Sequence, residues 1–245
     1  MKVVKKDELK NFEICNNGGC YSRVYKCSYH DNTYAYKDFR NAGMMLEICP
    51  KIIELGNLNI KGSILPEYLV IDNNYNPITY LAGWDDDYTL QKYINEGNIN
   101  TIVSILNNLK YNISALHRKG IIHGDIHDKN VLANPITCLA SIIDFDNCAY
   151  KNFKMNPEYC TWFAKFYISK YGINKGLDIY LFNYLTFQLI NNLINYDMVK
   201  KNIIKGINKC FLDNDDYKNI CDTMLLQSKK PTKKFLIDNY QKVLK

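Results

Sequence analysis

An aspartate and an asparagine five positions apart, Asp125 and Asn130, stand between two apolar clamps, Ile121-Ile122 and Val131-Leu132. A little downstream, Asp144 ends a short apolar run, Ile142-Ile143, and is followed by Phe145-Asp146. These residue types at this spacing suit phosphoryl transfer. A loop carboxylate can orient an attacking hydroxyl and accept its proton, and an amide oxygen can ligate Mg²⁺ on the phosphates. Asp144, at the end of its strand, would be the main magnesium ligand.

The elements that must hold these groups are legible in outline. Asn11 to Cys15, Ser22 to Tyr29 and Thr33 to Phe39 read as strands, separated by the turn signals Asn16-Asn17-Gly18-Gly19 and His30-Asp31-Asn32. Met44 to Leu58 has a helical period, with Ile48, Ile52, Ile53 and Leu55 as its apolar face and Pro50 expected in the first turn. Pro66 to Asp72 and Pro77 to Ala82 read as two more strands around Asn73-Asn74-Tyr75-Asn76. The order is therefore β-β-β-α-β-β up to about Gly83, after which the composition turns helical. Ile102, Val103, Ile105, Leu106, Leu109, Ile113 and Leu116 recur at helical spacing before the loop, and Gly120 suits the end of that helix. Two short apolar segments, 130–133 and 140–145, interrupt the helices.

The loop Ile121-Ile122-His123-Gly124-Asp125-Ile126-His127-Asp128-Lys129-Asn130 resembles the catalytic loop of the protein-kinase superfamily, H-R-D-x-x-x-x-N, and Asp144-Phe145-Asp146 resembles its D-F-G. Asn17-Gly18-Gly19-Cys20-Tyr21-Ser22-Arg23-Val24 is similar to the Gly-rich loop, with Gly19 keeping a motif glycine. Tyr34-Ala35-Tyr36-Lys37 is similar to V-A-x-K. The resemblance implies an α+β, bilobal fold. Residues 1–83 would form a β-rich N-lobe with one helix, and residues 84–245 a mainly helical C-lobe, with ATP in the cleft. It implies that Lys37 pairs with the α- and β-phosphates and is itself held by a helix glutamate, Glu47 or, as second choice, Glu54. Asn130 and Asp144 would hold Mg²⁺, and Asp125 would orient the acceptor. Gly19, Val24, Ala35 and Leu132 would line the nucleotide, and Ala82-Gly83-Trp84 would be the hinge that meets the base. Leu177 to Leu185 resembles the family's buried D-x-x-x-x-G helix, whose aspartate (here Asp178) braces the catalytic loop. Ser228-Lys229-Lys230-Pro231-Thr232 resembles the late S-x-R-P-T segment, and Asn156-Pro157-Glu158-Tyr159 the T-P-E-Y before it.

The departures divide the acceptor reading. Gly124 replaces the arginine that reads a phosphorylated activation loop, His127 stands where lysine is usual, and Asp146 replaces the D-F-G glycine. These features are typical of aminoglycoside and other small-molecule phosphotransferases. Cys160-Thr161-Trp162-Phe163 stands in place of A-P-E. Protein Ser/Thr hydroxyls are the first expectation for the acceptor, on Asp178 and Lys230-Pro231-Thr232. A small-molecule hydroxyl is the second, and a nucleotide-binding scaffold without catalysis the third. Plainer roles stand beside the chemical ones. His123 reads best as a core histidine, His127 equally as a phosphate contact or loop packing, and Asp85-Asp86-Asp87 as a solvated turn. Asp146 either caps a turn or adds to the magnesium site.

Bulk properties set the bounds. The 245 residues are 47% hydrophobic and 23% charged, enough for one large domain or two lobes. A formal charge of +6 is spread over scattered lysines, which speaks against a nucleic-acid partner. No apolar run approaches a membrane span, and no secretory signal precedes the charged first ten residues. Nine cysteines without a C-x-x-C pair exclude a zinc ribbon and fit reduced thiols in a cytoplasm.

Overall fold

The computed structural model describes residues 1–16, 21–92, 99–134 and 136–193. Gly19 of the glycine-rich loop and the Lys230-Pro231-Thr232 segment lie outside the described residues. The chain forms two compact units, the first comprising Met1–Asp86 with Ile143–Asp146, the second Asp87–Ile142 with the remainder. The expected division after Gly83 lies close to this one, but the segment carrying Asp144 and Asp146 belongs with the N-terminal strands.

The first unit is built on a six-stranded sheet. Its strands are β1 (Lys2–Lys5), β2 (Lys10–Asn16), β3 (Ser22–Tyr29), β4 (Asn32–Phe39), β5 (Pro66–Ile71) and β6 (Pro77–Gly83). They lie in the order β1-β5-β6-β4-β3-β2, antiparallel except for the β1–β5 pair. The turn between β3 and β4 is tight because His30 and Asp31 both take positive φ, 45° and 60°. Between β5 and β6, the Asp72 carboxylate accepts from the Asn74 and Asn76 amides, each at 2.8 Å, and these hydrogen bonds hold its pKa below the usual value.

Pleating sorts the sheet into two faces. Val4, Leu9, Cys27, Tyr34, Tyr36, Val70 and Leu81 form one buried cluster. Val24 pairs with Lys37 across β3 and β4, and Ala35 with Ala82 across β4 and β6, so these four residues share the opposite face. Helix α1 (Ala42–Leu55) starts at Asn41, whose side chain accepts from the Gly43 amide at 2.9 Å. It buries Met45, Ile48, Ile52 and Leu55. Pro50 sits in the interior of this helix, not in its first turn. It is exposed, and the buried residues to either side hold the helix through the lost backbone bond.

In the second unit α2 (Ile99–Arg118) buries Ile102, Ile105, Leu106, Leu109, Ile113 and Leu116 along one stripe. It ends before Gly120, at φ +76°. The short strands β7 (Tyr88–Thr89), β9 (Val131–Ala133) and β10 (Ala140–Ile142) form one small sheet, and β8 (Ile121–Ile122) pairs with β11 (Ala149–Tyr150). Asn108 and Asn112 of α2 clip β10 through the Ala140 amide (2.8 Å) and carbonyl (2.7 Å). Helices α3 (Trp162–Tyr171) and α4 (Lys175–Leu193) follow. Among the described residues no helix is long and apolar enough to cross a membrane.

Candidate functional site

In the first unit, Lys37 projects from β4 beside a pair of aspartates. Its ammonium donates to Asp144 Oδ1 at 2.6 Å and to both oxygens of Asp146, at 2.9 and 2.7 Å. The Tyr80 hydroxyl, on the same face of β6, donates to Asp146 Oδ1 at 3.3 Å. The two aspartates differ in exposure: the Asp144 side chain is 38% accessible and that of Asp146 only 7%. Burial disfavours the charged lysine, but Asp144 and Asp146 outweigh it and hold Lys37 well above its usual range. Burial, reinforced by Asp144, pushes Asp146 up to about 7 against the opposing pull of Lys37. Burial, with Asp146 adding to it, raises the Tyr80 phenol well above its ordinary value. Asp144 adopts φ 70°, a left-handed conformation that Asp tolerates better than most residues.

The expected Lys37–Glu47 pair is not formed. Glu47 is exposed on α1, and among the described residues the ion pairs of Lys37 go to Asp144 and Asp146. Glu54, the second choice, is half-buried about two turns further on and does not pair with Lys37 either. Sequence reasoning left Asp146 between a turn cap and a magnesium ligand; the structure gives it the lysine instead. Its place at the D-F-G glycine was the available signal. Tyr80 carried none, since a strand tyrosine is ordinary.

Val24, Ala35 and Ala82 lie on the Lys37 face. Ala35 and Ala82 face each other with only methyl side chains, so that part of the face carries little bulk. Trp84 is more committed than a free hinge residue. Its backbone amide donates to the Thr33 carbonyl at 3.3 Å and its indole to Asp86 at 2.7 Å, while Lys26 lies over its ring. Asp86 is exposed, as expected of a solvated turn, and accepts from the Trp84 indole and from Lys26, whose amine is 3.3 Å away.

In the second unit, the 121–130 loop is held from beneath by Asp178 of α4. This carboxylate is fully buried and accepts from the His123 amide (2.9 Å) and the Gly124 amide (2.7 Å), with His117 Nε2 also at 2.9 Å. Buried carboxylates are tolerated when donors surround them in this way. Gly124 takes φ +72°, and a Cβ there would lie 1.9 Å from the Met155 Cε, so a larger residue would strain the backbone and have to displace that side chain. His123 is buried, and its Nδ1 receives the Asp125 amide at 3.3 Å, in keeping with a core role.

The Asn130 amide nitrogen donates to the Asp125 carbonyl (3.1 Å) and to Asp125 Oδ2 (3.0 Å). That orients the amide so that its oxygen is the remaining ligand atom. The other Asp125 oxygen, Oδ1, is buried without a hydrogen-bond partner. An unsatisfied carboxylate oxygen is costly to bury. His127 Nε2 lies 3.5 Å from Asp125 Oδ2, and Nδ1 3.6 Å from Asp128. Burial opposes the imidazolium, but the two carboxylates prevail and lift His127 to about 9. In its neutral form Nδ1 instead accepts from the Lys129 amide at 3.2 Å. Leu132 is half-exposed on β9 between buried Val131 and Ala133. Asn156 caps a short turn at Pro157–Tyr159, and Asn147 brackets its backbone at 2.9 and 3.0 Å.

A β-rich N-terminal part carrying a strand lysine on paired aspartates, followed by helices and an asparagine-clipped aspartate loop, is compatible with a kinase-like fold. The chain is 32% identical over 137 residues to a protein of Acanthamoeba polyphaga mimivirus named "Putative serine/threonine-protein kinase", a match covering 54% of this chain and 24% of that protein. It therefore spans about a quarter of the relative's length. The chain matches no family profile.

Proposed function

We propose that this chain is an ATP- and magnesium-dependent phosphotransferase acting on Ser or Thr hydroxyls of protein. The observation that carries the reading is the meeting of Lys37 with Asp144 at 2.6 Å, 107 positions apart in the chain. Two residues singled out for phosphate and metal chemistry are thus neighbours within one unit. ATP with magnesium would supply the transferable phosphoryl group and neutralise its charge. Lys37 binds phosphate oxygens, and Asp144 and Asn130 offer the oxygen ligands for the metal. Asp125 takes the acceptor proton, and Asn130 keeps that carboxylate oriented. Positioning and electrostatics account for most of such catalysis, so little else is required of the protein. The name of the mimivirus relative supports a protein acceptor. A small-molecule hydroxyl is the second reading, favoured by Gly124, whose left-handed backbone stands where phosphorylation-switched kinases carry an arginine.

Incubation of the full chain with labelled ATP, Mg²⁺ and a generic protein substrate tests this. Label on Ser or Thr that falls by about 10²- to 10⁴-fold in Asp125→Ala is the expected result. Turnover only with an added small hydroxyl compound would favour the second reading, and nucleotide binding without transfer would leave a scaffold.

A further inference from the structure

We infer that Asp146, braced by Tyr80, is the positioning residue for Lys37, in the place that the resemblance assigns to a helix glutamate; this rests on the phosphotransferase reading of the same site. Two of the three ammonium hydrogen bonds of Lys37 go to Asp146, one to each carboxylate oxygen, and the third goes to Asp144. Asp146 Oδ1 also receives the Tyr80 hydroxyl. The lysine–aspartate–tyrosine set is therefore closed, and it lies in the least accessible part of the site. Phe39 completes the surround: the Lys37 amine lies 5.7 Å from its ring centre, and that ring packs on Tyr80 at 6.2 Å.

The division of labour follows from geometry. One lysine faces two carboxylates, so the cluster carries excess negative charge, which a cation would offset. The exposed member, Asp144, is the one a metal can reach. The buried member stays with the lysine. A helix glutamate is then unnecessary, which accounts for Glu47 standing exposed on α1. Phosphate oxygens arriving at Lys37 would replace its contact with Asp144 while Asp146 keeps the amine in place.

The test reads Lys37 itself, without nucleotide or metal. Acetylation by an N-hydroxysuccinimide ester requires a neutral, uncovered amine, and mass spectrometry of a digest compares Lys37 with exposed lysines in the same sample. Asp146→Asn should raise Lys37 labelling about 10-fold or more, since the amine loses the charge-assisted contacts with both carboxylate oxygens that cover it. Tyr80→Phe should raise it about 2- to 5-fold, the worth of one hydrogen bond. Glu47→Gln should leave it unchanged. Exposed lysines should not respond, which separates loss of the clamp from general loosening, and Tyr80→Phe keeps the ring and the fold if Asp146→Asn does not fold. Unchanged Lys37 labelling in Tyr80→Phe and Asp146→Asn, or increased labelling in Glu47→Gln, overturns the inference. If the labelling order holds in a protein that transfers no phosphate, the proposed function falls and the clamp stands. Transfer from ATP with Lys37 equally reactive in every variant removes the clamp alone.

Discussion

The loop at Asp125 and the lysine centre at Lys37 are held by different physics. The loop hangs by two backbone amides from one buried carboxylate, Asp178, which His117 Nε2 also meets at 2.9 Å. The lysine centre is a cluster of charged side chains in which one lysine answers two aspartates. The first arrangement fixes a geometry before any ligand arrives. The second leaves an excess of negative charge that an incoming cation would offset. Under the proposed function, rigidity would belong to the part that aims a proton acceptor, and adaptable charge to the part that meets phosphate and metal.

Asp178→Ala would break the loop's side of that contrast most severely. It strips three donors of their buried acceptor, and stability measured by urea unfolding should fall by about 3–5 kcal/mol. Gly124→Ala tests the same loop more gently. The left-handed backbone should cost about 1–2 kcal/mol, with a further loss from the Met155 clash. Met155→Ala in that background should recover the clash but not the backbone term, so the double variant separates the two. His127→Gln has the smallest expected effect and sharpens the electrostatic side. Because the folded-state pKa of His127 is raised to about 9, its stabilising contribution is complete below the unfolded value of roughly 6.5 and disappears as pH rises through 9. Melting curves of the wild type should therefore drop toward those of His127→Gln across that interval, and the two should stay parallel above it.

Much of this was readable from residue order because the signals were local. Ser22–Tyr29 is a strand with the limits its alternation predicts, since His30 and Asp31 supply the turn that ends it. The role of Asp178 was legible too, through the resemblance of Leu177 to Leu185 to the family's buried D-x-x-x-x-G helix. What was not legible depended on distant pairing. Strand β1 is four residues with a lysine at each end, and only its parallel partner β5 makes it a strand. The partner of Lys37 was sought on α1 because the motif names a helix. Pro50 blurred the register there, and the actual partner lies beyond more than a hundred intervening residues. Tyr80 and Met155 act only through contacts made after folding, so nothing in their neighbours announced them.

The return of Ile143–Asp146 to the first unit has a consequence for anyone wishing to dissect the protein. A gene truncated after Asp86 would encode all six strands of the sheet, yet it would strand a mostly inaccessible ammonium with no anion to face. The polypeptide is sewn across its own boundary by four residues. The partition visible in space is consequently not one that scissors applied to the reading frame can follow.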